Sequence, residues 1–491
     1  MQHTISCPVK KSALLFPNGV AVWDDLGHVL TFAQLDNAID HAIKRLRSQG
    51  IKPGDIISVL SWNSISVVVL FHAAMRLGVT LLSLNCRLTG DDHKKQLSEA
   101  SCRWCLYSDE FASCAEQLGV RPLPLSQIVN QEHHDLSGSP DYQISVNQDA
   151  LIIFTSGSQG RPKGIVLTAG NLYYNALGCA SALPLLPDDV WLAVLPFFHI
   201  GGISIPFRTA LAGCASYCMT GFDPQHIAQL ASRDEITILS LVPTMLTDLI
   251  KIDDGNVLSQ VRAIVLGGDR LDDPLRREII ARRLPVLTSY GMTETASMIT
   301  LLSPGDPPEK LATSGKVLPF RQLIIVGDDG VEVPDGKSGK ILVKGEVLFS
   351  RYVAQFESPF DDDGWFATGD MGWIDRDGCL IVTGRADRVI ISGGENIDLN
   401  QIEQALSAID GIIGAVVLSC PDKKWGARPV AFVETSDAAA STSTLMSALE
   451  KTLPRIMLPD KILIVEALPH TAAGKIDRQE LARRHSAELS G

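Results

Sequence analysis

Between residues 30 and 84 the chain alternates helix and strand, and this alternation constrains its fold more than any other feature. Thr31 stands where a helix cap belongs, ahead of the apolar series Ala33, Leu35, Ile39, Ala42, Ile43 and Leu46, and Gly50 follows as a stop. Residues 56–60, Ile-Ile-Ser-Val-Leu, then form a run suited to burial on both faces. The pairing recurs at 191–195, 236–241 and 261–266, each a short apolar run beside a helical segment. Strands of that kind, separated by helices, demand a doubly wound sheet. From about Arg321 the pattern changes to short strands joined by the turns Gly327-Asp328-Asp329-Gly330, Asp335-Gly336-Lys337 and Asp375-Arg376-Asp377-Gly378, which predicts a small β-rich subdomain. Past Gly384-Arg385-Ala386-Asp387 a smaller α+β unit is expected, with a helix over 400–409, strands near 414–419 and 430–434, and a loop over 435–444. The fold class is thus α/β: a large N-terminal domain of doubly wound sheets with a β-rich subdomain, then a small α+β C-terminal domain.

At 491 residues, 45% of them apolar, the chain has material for two or more domains. A net charge of -13 argues against general attraction to nucleic acid or anionic lipid, so an anionic ligand needs a dedicated pocket. The longest apolar run ahead of Pro17-Asn18-Gly19 is the four residues Ala13 to Phe16, too short for a signal-peptide core. The uncharged run 56–75 is long enough to span a bilayer, but Ser61, Asn63, Ser64, Ser66 and His72 interrupt it, and strand-then-helix in a core fits better. Ten scattered cysteines include Cys102-Arg103-Trp104-Cys105, which lacks a second pair or nearby histidine for zinc. Reduced thiols in a cytoplasmic protein without a membrane span are the expectation, and homo-oligomerisation is left open.

The stretch Thr155-Ser156-Gly157-Ser158-Gln159-Gly160-Arg161-Pro162-Lys163-Gly164 lies between two apolar runs and is the densest cluster of small, hydroxyl and cationic residues in the chain. Such composition suits a phosphate cradle. It fails the Walker template, because Pro162 stands where the second glycine belongs and Gly164 follows Lys163 in place of a hydroxyl residue. Alone it is also compatible with a surface turn. In order and spacing, however, it resembles the phosphate loop of the adenylate-forming superfamily, the acyl-CoA synthetases, peptide-synthetase adenylation domains and luciferases, with Gln159 as a departure that costs one hydroxyl.

Further motifs follow in that family's order across almost the whole chain. Ser289-Tyr290-Gly291-Met292-Thr293-Glu294-Thr295 resembles the signature whose tyrosine stacks on adenine, whose threonine meets phosphate and whose glutamate binds Mg²⁺. By itself that stretch reads equally as a loop with a helix cap at Thr293. Gly267-Gly268-Asp269 resembles the glycine turn against the adenine. Thr368-Gly369-Asp370 and Gly384-Arg385-Ala386-Asp387-Arg388 resemble the ribose-binding aspartate and the hinge, so Asp370 and Arg385 are expected at the ribose and Asp387 at the pivot. Ser392-Gly393-Gly394-Glu395-Asn396 resembles the motif lining the pantetheine tunnel, and 469–476 resembles the motif whose lysine, here Lys475, serves the first half-reaction. The resemblance places the domains at 1–385 and at 386–491, the second of them mobile.

What the resemblance implies is an AMP-forming acyl- or aryl-CoA ligase. Thr155, Ser156, Gly157, Ser158, Gly160, Lys163 and Thr293 would hold the phosphates of ATP, Glu294 the Mg²⁺, and Lys475 would bridge carboxylate and α-phosphate. Rotation about Asp387 would then bring Gly393 and Gly394 to the acyl-adenylate for attack by a thiol. The chain ends soon after Lys475, which favours free coenzyme A over a carrier domain in the same chain. Residues 195–208, with Val242-Pro243-Thr244-Met245-Leu246 and Lys424-Trp425-Gly426, look most like the o-succinylbenzoate-CoA ligases of menaquinone biosynthesis. Arg208 would face the second carboxylate of that acid and His199 would line the pocket as donor or gate, although a core histidine fits His199 equally. Gly201 and Met298 depart from the serine and glutamine usual in those ligases, which leaves room for another aryl or medium-chain acid. The motifs also fit a stand-alone enzyme that loads a carrier protein, or a non-catalytic nucleotide-binding relative, and intact Glu294, Asp370 and Lys475 speak against the latter.

Overall fold

The structure, a computed structural model, describes residues 3–129, 142–155, 162–355, 357–392, 395–422, 425–437, 440–470, 476–486 and 488–489. They form two compact units. The larger comprises Met1–Ile324, Leu342–Phe366 and Ile374–Ile381, and the smaller Ile325–Ile341, Ala367–Trp373 and Val382–Gly491.

Two sheets build the larger unit. In the seven-stranded sheet Arg121–Pro124, Trp104–Tyr107, Ile56–Leu60, Thr80–Ser83 and Asp149–Thr155 run parallel, and Lys163–Thr168 and Arg351–Tyr352 add antiparallel at one edge. The nine-stranded sheet repeats the plan. Val20–Asp24, Ala215–Cys218, Val190–Ala193, Ile238–Leu241, Ala263–Leu266 and Val286–Met292 are parallel, Ser297–Leu301 returns antiparallel from the last of these, and Lys316–Val317 and Val29–Thr31 close the edges. In both sheets a parallel run ends in an antiparallel hairpin, so the chain reverses at the carboxyl ends of the strands, where α/β sheets place ligands.

The local signals act as expected. Thr31 caps the helix Phe32–Ser48 in a capping box with Gln34. Residues 56–75 divide into the strand Ile56–Leu60 and the helix Ile65–Leu77, which is buried from Val67 through Leu77. A helix apolar all round must be enclosed by protein, and its 13 residues are too few to cross a bilayer. Among the described residues no helix is long and apolar enough for a membrane span. The ten cysteines are free thiols, and no group of three or more His, Cys, Asp or Glu among the described residues could hold a metal.

The β-rich part is a four-stranded sheet of Arg321–Val326, Gly339–Gly345, Phe366–Ile374 and Leu380–Arg385. In the smaller unit Ile412–Asp422 and Gly426–Thr435 pair as a long hairpin, over which the helix Leu399–Ser407 buries Leu399, Ile402 and Leu406. These strands run well beyond the expected 414–419 and 430–434, because residues such as Arg428 keep the pairing while binding elsewhere: its guanidinium donates to the Ile456 and Leu458 carbonyls. The expected loop over 435–444 is also shorter. Ser441 accepts from the Thr444 amide and starts the helix Thr442–Leu449.

Candidate active site

Of the described sequence-predicted residues, Thr155, Lys163 and 289–294 lie at the two hairpin ends. Lys163 and Thr155 face each other across the Asp149–Thr155/Lys163–Thr168 pair, flanking the connection. Ser156, Gly157, Ser158 and Gly160 lie outside the described residues. Gly164 is required by packing, since a Cβ there would come within 2.8 Å of the Phe154 ring and 2.9 Å of Val353.

In the second sheet Gly267-Gly268-Asp269 leaves the strand Ala263–Leu266 beside Ser289, whose hydroxyl donates to the Leu266 carbonyl at 3.1 Å. A Cβ on Gly267 would meet that hydroxyl at 2.6 Å, and Gly268 takes the left-handed φ of +83°. Ser289, Tyr290, Gly291 and Met292 are the last residues of Val286–Met292, and the hairpin register shifts between Tyr290 and Gly291. A Cβ on Gly291 would collide with the Ser297 carbonyl. Thr293–Thr295 form one 3-10 turn, but the expected cap at Thr293 is displaced: the Thr295 hydroxyl shares its one proton between the Ser297 and Met292 carbonyls, at 2.8 and 3.0 Å, and accepts from the Met292 amide. Thr295 is the fully buried member, so its hydroxyl has to satisfy the backbone while Thr293 stays partly exposed. Directly after the turn, Ala296 and Ser297 hold φ of +53° and +109°. Two successive non-glycine residues in that region are strained, a feature that concentrates at functional sites.

Glu294 is held by a residue that sequence reasoning missed. The Tyr352 hydroxyl donates to Glu294 Oε1 at 3.3 Å, and the Lys163 ammonium lies 5.0 Å from the centre of the Tyr352 ring. Burial, reinforced by the Glu294 charge, pushes the Tyr352 hydroxyl well above its usual range, so it stays protonated and donating. A single carboxylate suits Mg²⁺, which is commonly held by one or two carboxylates together with substrate phosphates and water.

His199, expected at the acyl pocket, opens the helix Ile200–Ala212, its ring 4.8 Å from that of Phe198. Gly201 and Arg208, seven residues apart, share one face of that helix. A cavity of about 240 Å³ lies among Trp62, Arg87, Val194, Pro196 and Met245, so the stretches 195–208 and 242–246 each give it one residue, while His199, Gly201 and Arg208 do not line it. Arg208 is only 3% exposed. Its Nη2 donates to Asn175 Oδ1 at 3.0 Å and its guanidinium sits 5.6 Å from the Trp191 ring, but Nε and Nη1 have no partner. Ser204, one turn earlier on the same face and 4% exposed, likewise has an unpartnered hydroxyl. Asn175 joins this face to the turn, donating to the Thr295 and Met298 carbonyls at 3.0 Å each. Met298 is buried against the Cys179 thiol, and its carbonyl also accepts from Arg321, a second buried guanidinium that burial and the Arg208 charge pull down to about 10. Ser204 was legible as the i, i+4 neighbour of Arg208. Asn175, Tyr352 and Arg321 had no local signal.

In the smaller unit Arg385 Nη1 donates to Asp370 Oδ1 at 3.3 Å and to the Thr368 carbonyl at 3.2 Å. Gly369, at φ +77°, leaves room for that guanidinium, since a Cβ would approach Nη2 to 2.6 Å. Asp387 lies in the 3-10 turn Ala386–Arg388. Gly393, Gly394, Lys424 and Lys475 lie outside the described residues.

Residues 9–353 match the model of the AMP-binding enzyme, and residues 401–475 that of the AMP-binding enzyme C-terminal domain. The chain belongs to the AMP-binding enzyme family. Within this family it is 33% identical over 489 residues to the 2-succinylbenzoate--CoA ligase of Listeria monocytogenes serovar 1/2a, with 99% of each chain covered. The o-succinylbenzoate CoA synthetase of Bacillus subtilis in complex with its acyl-adenylate intermediate superposes with a TM-score of 0.90 at 30% identity, over 98% of both chains. The same synthetase in complex with ATP and a magnesium ion gives 0.89 at 30% identity, over 98% of this chain and all of that one. The family resemblance and the α/β fold class read from the sequence are thereby borne out.

Proposed function

We propose that this protein couples ATP cleavage to thioester formation, converting 2-succinylbenzoate and coenzyme A to 2-succinylbenzoyl-CoA, AMP and pyrophosphate in the cytoplasm, as a step of menaquinone biosynthesis. The observation that carries the acid assignment is Arg208. A guanidinium 3% exposed with two unpartnered nitrogens is costly unless an anion completes it. The adenylated carboxylate must reach the phosphates, so a second carboxylate on the same acid is the group Arg208 would meet, with the Ser204 hydroxyl beside it. The cavity does not reach Arg208, so the acid would have to extend it there.

A carboxylate acylates poorly because its leaving group would be oxide. Attack of its oxygen on the α-phosphorus of ATP breaks the bond to pyrophosphate and yields a mixed anhydride, from which a thiol displaces AMP. Lys163 and the hydroxyls of Thr155, Ser156, Ser158 and Thr293 would steady the phosphates, and Tyr290 with Gly267, Gly268 and Asp269 would receive the adenine. Mg²⁺ bound at Glu294 would neutralise phosphate charge. Asp370 and Arg385 would hold the ribose and Lys475 would bridge carboxylate and α-phosphate. Asp387 would be the pivot of a C-terminal domain over 386–491 that carries Gly393 and Gly394 to the thiol. A second reading, a ligase for another aryl or medium-chain acid, draws support from Gly201 and Met298.

The test is product formation from ATP, Mg²⁺ and coenzyme A with 2-succinylbenzoate, benzoate, 4-substituted benzoates and hexanoate, with Lys475→Ala as control. Strong preference for 2-succinylbenzoate is expected. Turnover of monoacids alone would sink the acid assignment and keep the ligase. AMP formation with none of the acids would sink the ligase itself.

A further inference from the structure

The segment 349–353 connects the two hairpin ends of the larger unit. On one side it is fastened to the strand that follows the phosphate loop: the Ser350 amide donates to the Val166 carbonyl at 2.9 Å, and the Val353 amide to the Gly164 carbonyl at 2.7 Å. On the other the Phe349 amide donates to the Glu294 carbonyl at 2.8 Å. Tyr352 repeats the connection with its side chain, its hydroxyl on Glu294 Oε1 and its ring beneath the Lys163 ammonium. Phe349 supports that ring from 4.6 Å, and Tyr352 is 9% exposed, so the ring has little freedom to turn.

We propose that Tyr352 is a positioning residue that sets the spacing and orientation of Lys163 and Glu294, with 349–353 as the strap between the two sheets. The proposal rests on the reading of Lys163 and Glu294 as the phosphate and metal groups. A hydroxyl donating to one carboxylate oxygen restrains the orientation of the carboxylate. The same bond places electron density on the ring, whose face attracts the ammonium. One side chain therefore aligns two opposite charges that have to act on one triphosphate chain. Left unaligned, both would have to reorganise on binding.

The experiment is calorimetric titration of the whole protein with ATP, with and without Mg²⁺, for the native chain, Tyr352→Phe, Tyr352→Leu and Glu294→Gln. Tyr352→Phe keeps the ring and loses the hydroxyl. It is expected to lose roughly five- to tenfold in Mg²⁺-dependent affinity, the range of one hydrogen bond to a charged group, with metal-free affinity within about twofold. Tyr352→Leu is expected to lose this and a further roughly threefold without metal, from the missing cation–π contact. Should the leucine variant fail to fold, the phenylalanine variant carries the test. Native metal dependence in Tyr352→Phe with loss in Glu294→Gln overturns the proposal alone. Native dependence in both overturns it together with the reading of Glu294. Equal weakening with and without metal in Tyr352→Phe reveals a merely structural role and also overturns it.

Discussion

The two ends of the larger unit proposed to take the phosphates and the acid, the phosphate and acyl ends, are built on opposite principles. At the phosphate end Lys163, Tyr352 and Glu294 engage one another, and Thr295 satisfies the backbone of the turn. At the acyl end the helix Ile200–Ala212 buries Arg208 and Ser204 with polar atoms left over; His72, stacked 6.3 Å from Phe207 of that helix, also has an unpartnered Nε2. A nucleotide is large and brings its own counter-charges, so its groups can be aligned beforehand. A small acid supplies few contacts, and discrimination is greatest where a buried polar group stays unpaired unless the correct ligand arrives.

The largest effect expected from this contrast is at Arg208. Arg208→Met should lower kcat/KM for 2-succinylbenzoate by roughly a hundredfold or more, as for loss of charged hydrogen bonds, and that for a monoacid by less than about threefold. Equal loss for both acids would erase the contrast. Next comes the pH dependence of stability. Burial, then the Arg76 charge, holds the His72 imidazole down at about 3, against 6.5 when exposed. The unfolded chain therefore binds one more proton than the folded one between these values. Stability from this group is complete above pH 6.5 and is lost as pH falls toward 3, by up to about 1.4 kcal/mol per pH unit. Melting curves from pH 7 to pH 5 should accordingly fall more steeply for the native chain than for His72→Leu, and parallel curves would contradict the burial of a neutral imidazole. The smallest effect is at Ser204, where Ser204→Ala should raise KM for 2-succinylbenzoate about threefold and leave KM for ATP unchanged, as for one neutral hydrogen bond. A change in the ATP value would show that the two ends are coupled, with Asn175 as the connection.

The alternation of strand and helix, the cap at Thr31, the division of residues 56–75 and the order of the motifs were all legible in the amino-acid sequence, because periodicity, capping and glycine turns are local properties. The order of residues 267–269, 289–294, 370 and 385 likewise carried the family. Which residues support those motifs was not legible. Tyr352 lies 58 residues from Glu294 along the chain and meets it only because a two-residue strand adds to the edge of the sheet beside Lys163. Asn175 reaches the Thr295 carbonyl across 120 residues. Sequence alone determined the grammar of the fold and the class of chemistry, since both reside in short stretches. Only the tertiary structure decided that Arg208 is buried with nitrogens to spare and that Lys163 and Glu294 share a tyrosine, because burial and unmet hydrogen bonds depend on what distant segments bring alongside.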